Sequence, residues 1–222
     1  MNPTNLLILR EAEKLFVEKG VIKTSIHEIA RSCKLVVGSL YHYYPNKEEI
    51  LFAILEKKLR ENLSQLNEHL AGISDPVSKL EKYIWFQFYY CEKDPGYSKL
   101  VLLELRHHKN LDQIPPYQYM KEVVNILVPI LREGQKQGIF EEDTDTVTFR
   151  NMVWGTLEAF TRNWLIFGWP ERITDYAPVV TRKLLISIIT PELRQRLDLL
   201  AHSSKPESAI KKPGMVEKSL RQ

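Results

Sequence analysis

Residues 25–49 read SIHEIARSCKLVVGSLYHYYPNKEE, and the fold turns on how they are read. Ile26, Ile29, Ala30 and Cys33 recur at i, i+3, i+4 and i+7, the spacing of one helix face. Ser25 precedes that run with Glu28 three positions on, a pattern in which each side chain satisfies the other residue's backbone N–H. A further short helix is expected from about Val36 to Tyr43, because Pro45 blocks its continuation. Cys33 and Leu35 bracket the turn between the two helices. Ala30 is small where they would cross, and Leu40 and Tyr43 face back. With a preceding stripe of Ile8, Ala12, Leu15 and Phe16 closed by Gly20, this predicts three helices containing a helix-turn-helix.

The aromatic cluster then needs a use. Tyr41, His42, Tyr43 and Tyr44 are consecutive and cannot share one helix face, so at least one ring must lie outside. A helix entering the major groove by its N-terminal end supplies that use. Gly38 has no side chain to hold the helix away from the groove. Ser39 and the free N–H groups of the first turn can donate to phosphate. Tyr41 and His42 offer hydrogen-bonding groups at phosphate or base reach. Lys47 adds a point charge, and Ser25 with its helix N-terminus grips the backbone on the other side. Val36 and Val37 also face outward, with Val37 suited to a thymine methyl. Tyr44 is expected to pack inward against the first helix.

Bulk properties exclude several classes. In 222 residues, 44% are hydrophobic, enough for a sizeable core. No run of about 18 apolar residues exists, so no membrane span is expected. The N-terminus lacks the basic, apolar and small-residue sequence of a signal peptide, and the chain reads as cytoplasmic. Cys33 and Cys91 sit in apolar patterns without a C-x-x-C and read as buried thiols. The formal net charge of +3 resides in the tail, where Lys205, Lys211, Lys212, Lys218 and Arg221 face Glu207 and Glu217. Any case for nucleic acid therefore rests on local arrangement.

Helical periodicity dominates the remainder, and no convincing strand is found. The fold class is all-α. Residues 1–50 form the DNA-binding domain, 51–201 a helical bundle for ligand and dimer, and 202–222 a flexible basic tail. Beyond a long helix from Asn46 to about 70, helices are expected over about 75–92, 96–108, 116–137, 143–167 and 176–200. The run YIWFQFYY, 83–90, holds too many rings for one stripe and must be buried on most sides or line a cavity. Trp85, Phe88, Tyr89, Met120, Leu127, Trp154 and Trp164 are the candidate ligand-contacting residues. Arg106, embedded in LVLLELR, is the candidate partner for an anionic group. Adjacent His107 and His108 point different ways on a helix, so no metal or cofactor is assigned. Gly155 and Ala159 at i, i+4 beside Met152, Thr156 and Phe160 would allow close helix approach. With Val180, Leu184 and Ile188 they are the candidate four-helix dimer interface. No nucleophile–base set or phosphate loop stands out, so no enzyme is expected.

Residues 8–52 resemble the TetR family of bacterial transcriptional regulators through LF-x-x-x-G, TS-I-x-E-IA, G-S-LY-x-Y-Y and NKEE. The resemblance implies a three-helix DNA-binding domain, a helical ligand-binding domain, and a homodimer acting as a repressor on double-stranded operator DNA. It places DNA contacts on Ser25, Val37, Gly38, Ser39, Tyr41, His42, Tyr43 and Lys47. Two departures are notable. Cys33-Lys34 stands where the family has Ala-Gly, which implies a strained turn at Lys34. Val36-Val37 leaves the third helix without a side-chain N-cap. The segments LELRHHKNL, ILREGQKQGIFEEDTD and WGTLE are similar to the acyl-CoA-responsive, FadR-type branch of the family, which implies a fatty acyl-CoA inducer. Two other readings stand beside this one: a helical lipid- or acyl-binding protein with no DNA role, and a repressor sensing an aromatic or cationic hydrophobe.

Overall fold

The computed structural model describes residues 2–105 and 110–195, apart from the Leu103 side chain. The expectations for Arg106 and for the tail 202–222 lie outside the described residues. Ten α-helices of the described residues are α1 (Pro3–Lys19), α2 (Ile26–Ser32), α3 (Val37–Tyr43), α4 (Lys47–Leu70), α5 (Pro76–Lys93), α6 (Pro95–Lys99), α7 (Pro115–Asn125), α8 (Leu127–Lys136), α9 (Thr146–Phe167) and α10 (Ala177–Leu185). The first three pack around Ile8, Ala12, Phe16, Ile29, Ala30 and Leu40, all buried. Helix α4 leaves that core and crosses α7, α5 and α1, while α5 runs through the bundle against α4, α8, α9 and α10. Among the described residues, no helix is long and apolar enough to cross a membrane.

Helix starts follow local chemistry. Asn2, Asn46, Asp75 and Asp145 each accept backbone N–H groups at the starts of α1, α4, α5 and α9. Both halves of the Ser25–Glu28 capping box are present. Lys34 adopts φ 55°, the strained turn that the family resemblance implied, and α3 follows Val36, an N-cap residue that makes no side-chain cap. Tyr44 is buried, and its hydroxyl meets Asn5 Oδ1 at 2.5 Å on α1.

Three expected helices are broken. The 116–137 span divides at Ile126 into α7 and α8, because Pro129 lacks an N–H and its ring would meet the carbonyl of Asn125. The 96–108 span becomes α6 followed by a π-helical turn, Leu100–Glu104. There the Leu105 N–H reaches the Leu100 carbonyl, which brings these two buried leucines to one side. The 176–200 span opens with a 3₁₀ turn, Ile173–Tyr176, and α10 ends at Leu185. Residues 186–190 then leave the helix to make an antiparallel bridge between Ile189 and Phe140, and helix resumes at Pro191.

That bridge fixes Phe140 against α8. A Cβ added at Gly134 would stand 2.0 Å from Cδ2 of the Phe140 ring, which is buried and cannot retreat. Alanine gains about 1 kcal/mol of helix propensity over glycine, but overpacking a rigid core costs about 1–3 kcal/mol. Because the added carbon would overlap a ring atom outright, the overpacking cost falls at the upper end of that range, and Gly134→Ala is expected to destabilise the fold by about 1–2 kcal/mol net. A thermal melt with an unchanged or raised midpoint would contradict this packing.

Candidate nucleic-acid interface and ligand cavity

The outer side of α3 is open. Val36, Gly38, Tyr41, His42 and Tyr43 are exposed, Val37 and Ser39 are half-buried, and only Leu40 is turned fully inward. A Cβ built on Gly38 meets no atom within 4 Å, so the fold itself makes no demand for glycine there. Val36 is 73% exposed, a poor situation for a branched apolar side chain unless a partner covers it.

Two of the candidate contacts already have other partners. The Ser25 hydroxyl caps the Glu28 N–H and meets the Glu28 carboxylate at 3.1 Å. That carboxylate accepts the Ser25 N–H and the Lys19 ammonium, which together hold its pKa down at about 2. Lys47 corrects its sequence reading. Its ammonium donates to the carbonyls of Val21, Ile22 and Thr24 at 2.6, 3.1 and 3.0 Å, so all three protons are engaged by the α1–α2 loop. Lysine at the first position of α4 is thus a bracket that gathers three backbone acceptors, not a free phosphate-binding charge. Sequence reasoning did not place Lys23, Arg31 and Lys34 of the same domain among the DNA contacts. They are exposed, and among the described residues no carboxylate lies within ion-pair reach of them.

Inside the bundle lies an apolar cavity of about 60 Å³ whose walls include Leu59, Gln87, Cys91, Val101, Met120 and Trp154. A second cavity, about 340 Å³, adjoins it and is more polar. Its lining includes Tyr117, Lys121, Asn125, Arg150 and Asn151, and it shares Met120 and Trp154 with the first. Trp154 is held in place, since its indole N–H donates to the Tyr83 hydroxyl, which in turn donates to the Val123 carbonyl. Burial pushes the Tyr83 phenol well up, so it stays protonated and able to donate.

Of the candidate ligand residues, Met120 and Trp154 line these cavities and others do not. Trp85 and Tyr89, one helical turn apart, stack on each other at 5.0 Å with Lys82 over the indole, away from both cavities. Phe88 and Leu127 are fully buried core, Phe88 against Phe160 at 6.0 Å. Trp164 is half-buried against the core. The face of α5 that reaches the cavity is Gln87 and Cys91 instead. Gln87 is 7% exposed and its Nε2 has no hydrogen-bond partner. A signal for it existed: it is the lone amide in the aromatic run YIWFQFYY.

The candidate dimer residues also divide. Val180, Leu184 and Ile188 are buried within the subunit, since α10 lies against α5, and they are corrected to core. Phe160 turns inward, with its ring near Phe88 and Tyr176. Met152 and Gly155 are exposed and Thr156 and Ala159 are half-exposed on the outer side of α9. Ile166 and Phe167, 62% and 73% exposed, extend the same stripe.

Two family patterns cover most of the chain. "Bacterial regulatory proteins, tetR family" matches residues 8–54, and "YsiA-like protein, C-terminal region" matches residues 55–187. The chain is 26% identical over 164 residues to the "Fatty acid metabolism regulator protein" of Bacillus subtilis (strain 168), covering 74% of this chain and 84% of that protein. Among solved structures, a transcriptional regulator FadR from Bacillus subtilis in complex with stearoyl-CoA is 25% identical, with a TM-score of 0.74 over 81% of this chain and 97% of the other. The fold is also that of the fatty acid degradation regulator FadR from Bacillus halodurans, at 24% identity and a TM-score of 0.76, over 83% and 96% of the two chains.

If Lys47 brackets the α1–α2 loop, Lys47→Ala should lower stability by about 1–2 kcal/mol, the scale of charge-assisted hydrogen bonds at a half-exposed site. The slope of log operator affinity against log salt should move by much less than the unit expected for a lost phosphate contact. A full-unit change with unaltered stability would return Lys47 to the phosphate contacts.

Proposed function

Because the chain belongs to the TetR family of bacterial regulatory proteins, we propose that a long-chain fatty acyl-CoA is the ligand that relieves its repression of operator DNA. The chain is a ligand-responsive DNA-binding regulator, not an enzyme. The observation that carries the acyl-CoA reading is the junction at Met120 and Trp154, with an apolar cavity on one side and a more polar one on the other. An acyl chain suits the first, and a large hydrophilic head group suits the second. The likeness to a fatty acid metabolism regulator, and to a structure holding stearoyl-CoA, supports the same ligand class.

An aromatic or cationic hydrophobe stacked on Trp85, Tyr89 and Trp164 is less well supported, since Trp85 and Tyr89 stack on each other outside the cavities. An inner cavity of about 60 Å³ is well below the roughly 300–1,000 Å³ of ordinary ligand sites, so an acyl chain enters only as the bundle opens. Met120 is the side chain suited to yield, being unbranched and flexible, beside a tryptophan held by hydrogen bonds.

Residues 1–50 would serve as the DNA-binding domain, and the bundle beyond them as the ligand and dimer domain. Helix α3 would enter the major groove with Val37, Gly38, Ser39, Tyr41, His42 and Tyr43 at or near the DNA, and Ser25 would contribute through the α2 N-terminus. A homodimer formed through Met152, Gly155, Thr156, Ala159, Ile166 and Phe167 would cover the apolar stripe of α9. It would set two copies of α3 about one helical turn of DNA apart, ~34 Å, or somewhat more.

Three measurements test this reading. Gly38→Leu should fold normally by circular dichroism and lose operator binding, and retention of the parental gel shift would remove α3 from the groove. The double substitution Ile166→Glu, Phe167→Glu should give monomers by sedimentation, and a stable dimer would place the interface elsewhere. Titrating C8 to C18 acyl-CoAs against the protein–operator complex should show affinity rising about tenfold per two methylenes, at ~0.8 kcal/mol per methylene, until the cavity is full. If no acyl-CoA releases DNA, the proposed inducer is wrong and the family assignment is untouched.

A further inference from the structure

The polar cavity contains a cation whose hydrogen bonds are incomplete. Arg150, in the second turn of α9, donates from Nη1 to Asn125 Oδ1 at 2.8 Å and from Nη2 to Asn151 Oδ1 at 3.4 Å. Its Nε is buried and has no partner. A buried guanidinium N–H without an acceptor is unfavourable, more so than a neutral donor. Among the described residues, no carboxylate lies within ion-pair distance of Arg150. Asp145, one turn earlier, feels the Arg150 charge, which helps to hold its pKa down after the larger effect of its hydrogen bonds to Thr148 and Val147, but its oxygens are committed to the α9 N-terminus through those same bonds. Lys121 lines the same cavity on α7 and rests over the Tyr117 ring rather than on a carboxylate. The two asparagines hold the guanidinium by neutral side-chain oxygens, which carry no formal charge to pair with it. Two positive charges thus face a cavity of about 340 Å³ that adjoins an apolar one.

We propose that Arg150 and Lys121 form an anion site that receives the negatively charged group of a ligand whose apolar part passes Met120 into the inner cavity. The site rests on the ligand-class reading above and deepens it. The Arg150 Nη groups keep two N–H protons beyond those given to the asparagines, and these can meet a phosphate or carboxylate oxygen as a planar fork that Lys121 cannot supply but can reinforce as a point charge. Arg150 is thus a second candidate for the anion-binding role beside Arg106, which lies outside the described residues. The same acceptor chemistry could come from a phosphate of coenzyme A or from the carboxylate of a free fatty acid.

The test is calorimetric binding of palmitoyl-CoA, palmitate and CoA alone to the full-length protein, using wild type, Arg150→Gln, Arg150→Lys and Lys121→Gln. Arg150→Gln and Lys121→Gln should each weaken the anionic ligand about tenfold. Arg150→Lys should recover part of the loss, and operator affinity without ligand should stay within about twofold. Lys121 is exposed, so its variant keeps the fold and the measurement interpretable even if Arg150→Gln does not fold. If the substitutions weaken palmitoyl-CoA and CoA but not palmitate, the phosphate is the partner. If they weaken palmitate, the carboxylate is. Wild-type affinity for palmitoyl-CoA and palmitate in every folded variant overturns the site. If none of the three probes binds wild type, the acyl-CoA reading falls by itself. Sodium pyrophosphate then decides the site: binding that depends on Lys121 and Arg150 upholds it, and no such binding overturns it.

Discussion

The ammonium of Lys58 joins three parts of the molecule at one point. It lies 2.9 Å from Glu13 on α1 and 2.5 Å from Asp94 at the end of α5, while itself belonging to α4. Burial pulls its pKa down, but the hydrogen bonds to Asp94 and Glu13 outweigh this and leave it raised. The side chains are only 19%, 25% and 27% exposed. Removing one partner would leave the others charged and poorly solvated, which is the costly way to break such a cluster. Asp94 also accepts the Tyr97 N–H and so starts α6. The place where the bundle turns from α5 to α6 is therefore tied to the helix that anchors the DNA-binding unit.

From that anchor, α6 and the π-helical turn after it run between cavity and DNA-binding unit. Gly96 sits where a Cβ would come within 3.0 Å of Val17 on α1, so the two helices approach closely. Val101 and Leu102 of the π turn line the inner cavity. Glu104, at the end of the same turn, accepts the Val21 N–H at 3.5 Å, and Val21 belongs to the loop whose carbonyls Lys47 gathers. The cavity wall is thereby linked to the start of α4 through the side chains of Glu104 and Lys47, which meet at Val21. A ligand can bias DNA affinity along this route only to the extent that it binds the two arrangements differently.

The DNA-binding half was legible in the sequence because its signals are local. A capping box, a proline stop and a 3.6-residue stripe each act within a few residues, whereas the left-handed turn at Lys34 was implied only by the family resemblance. The bundle was legible as helices but not as a site. The ring-rich face of α5 suggested a cavity lining, yet Trp85 and Tyr89 satisfy each other outside it, and Gln87 faces in. Periodicity gives a helix its faces without saying which neighbour meets each one. The apolar face of α10 was assigned to a partner subunit for that reason, although its own chain covers Val180 and Leu184. Lys47 was misjudged because its acceptors lie more than twenty residues away in sequence, in a loop with no side-chain signature.

The inner cavity spans only about 60 Å³. Where a ligand needs a wider form than this one, its apparent affinity is its intrinsic affinity scaled by the population of that form. Sensitivity can then be set without touching a single ligand contact. Any substitution that loosens the wall around Met120 enlarges the receptive fraction and lowers the response threshold for every ligand of the class by the same factor. Any substitution that tightens it raises the threshold equally. Selectivity among ligands and the concentration at which the regulator responds are, in this architecture, two separately adjustable quantities.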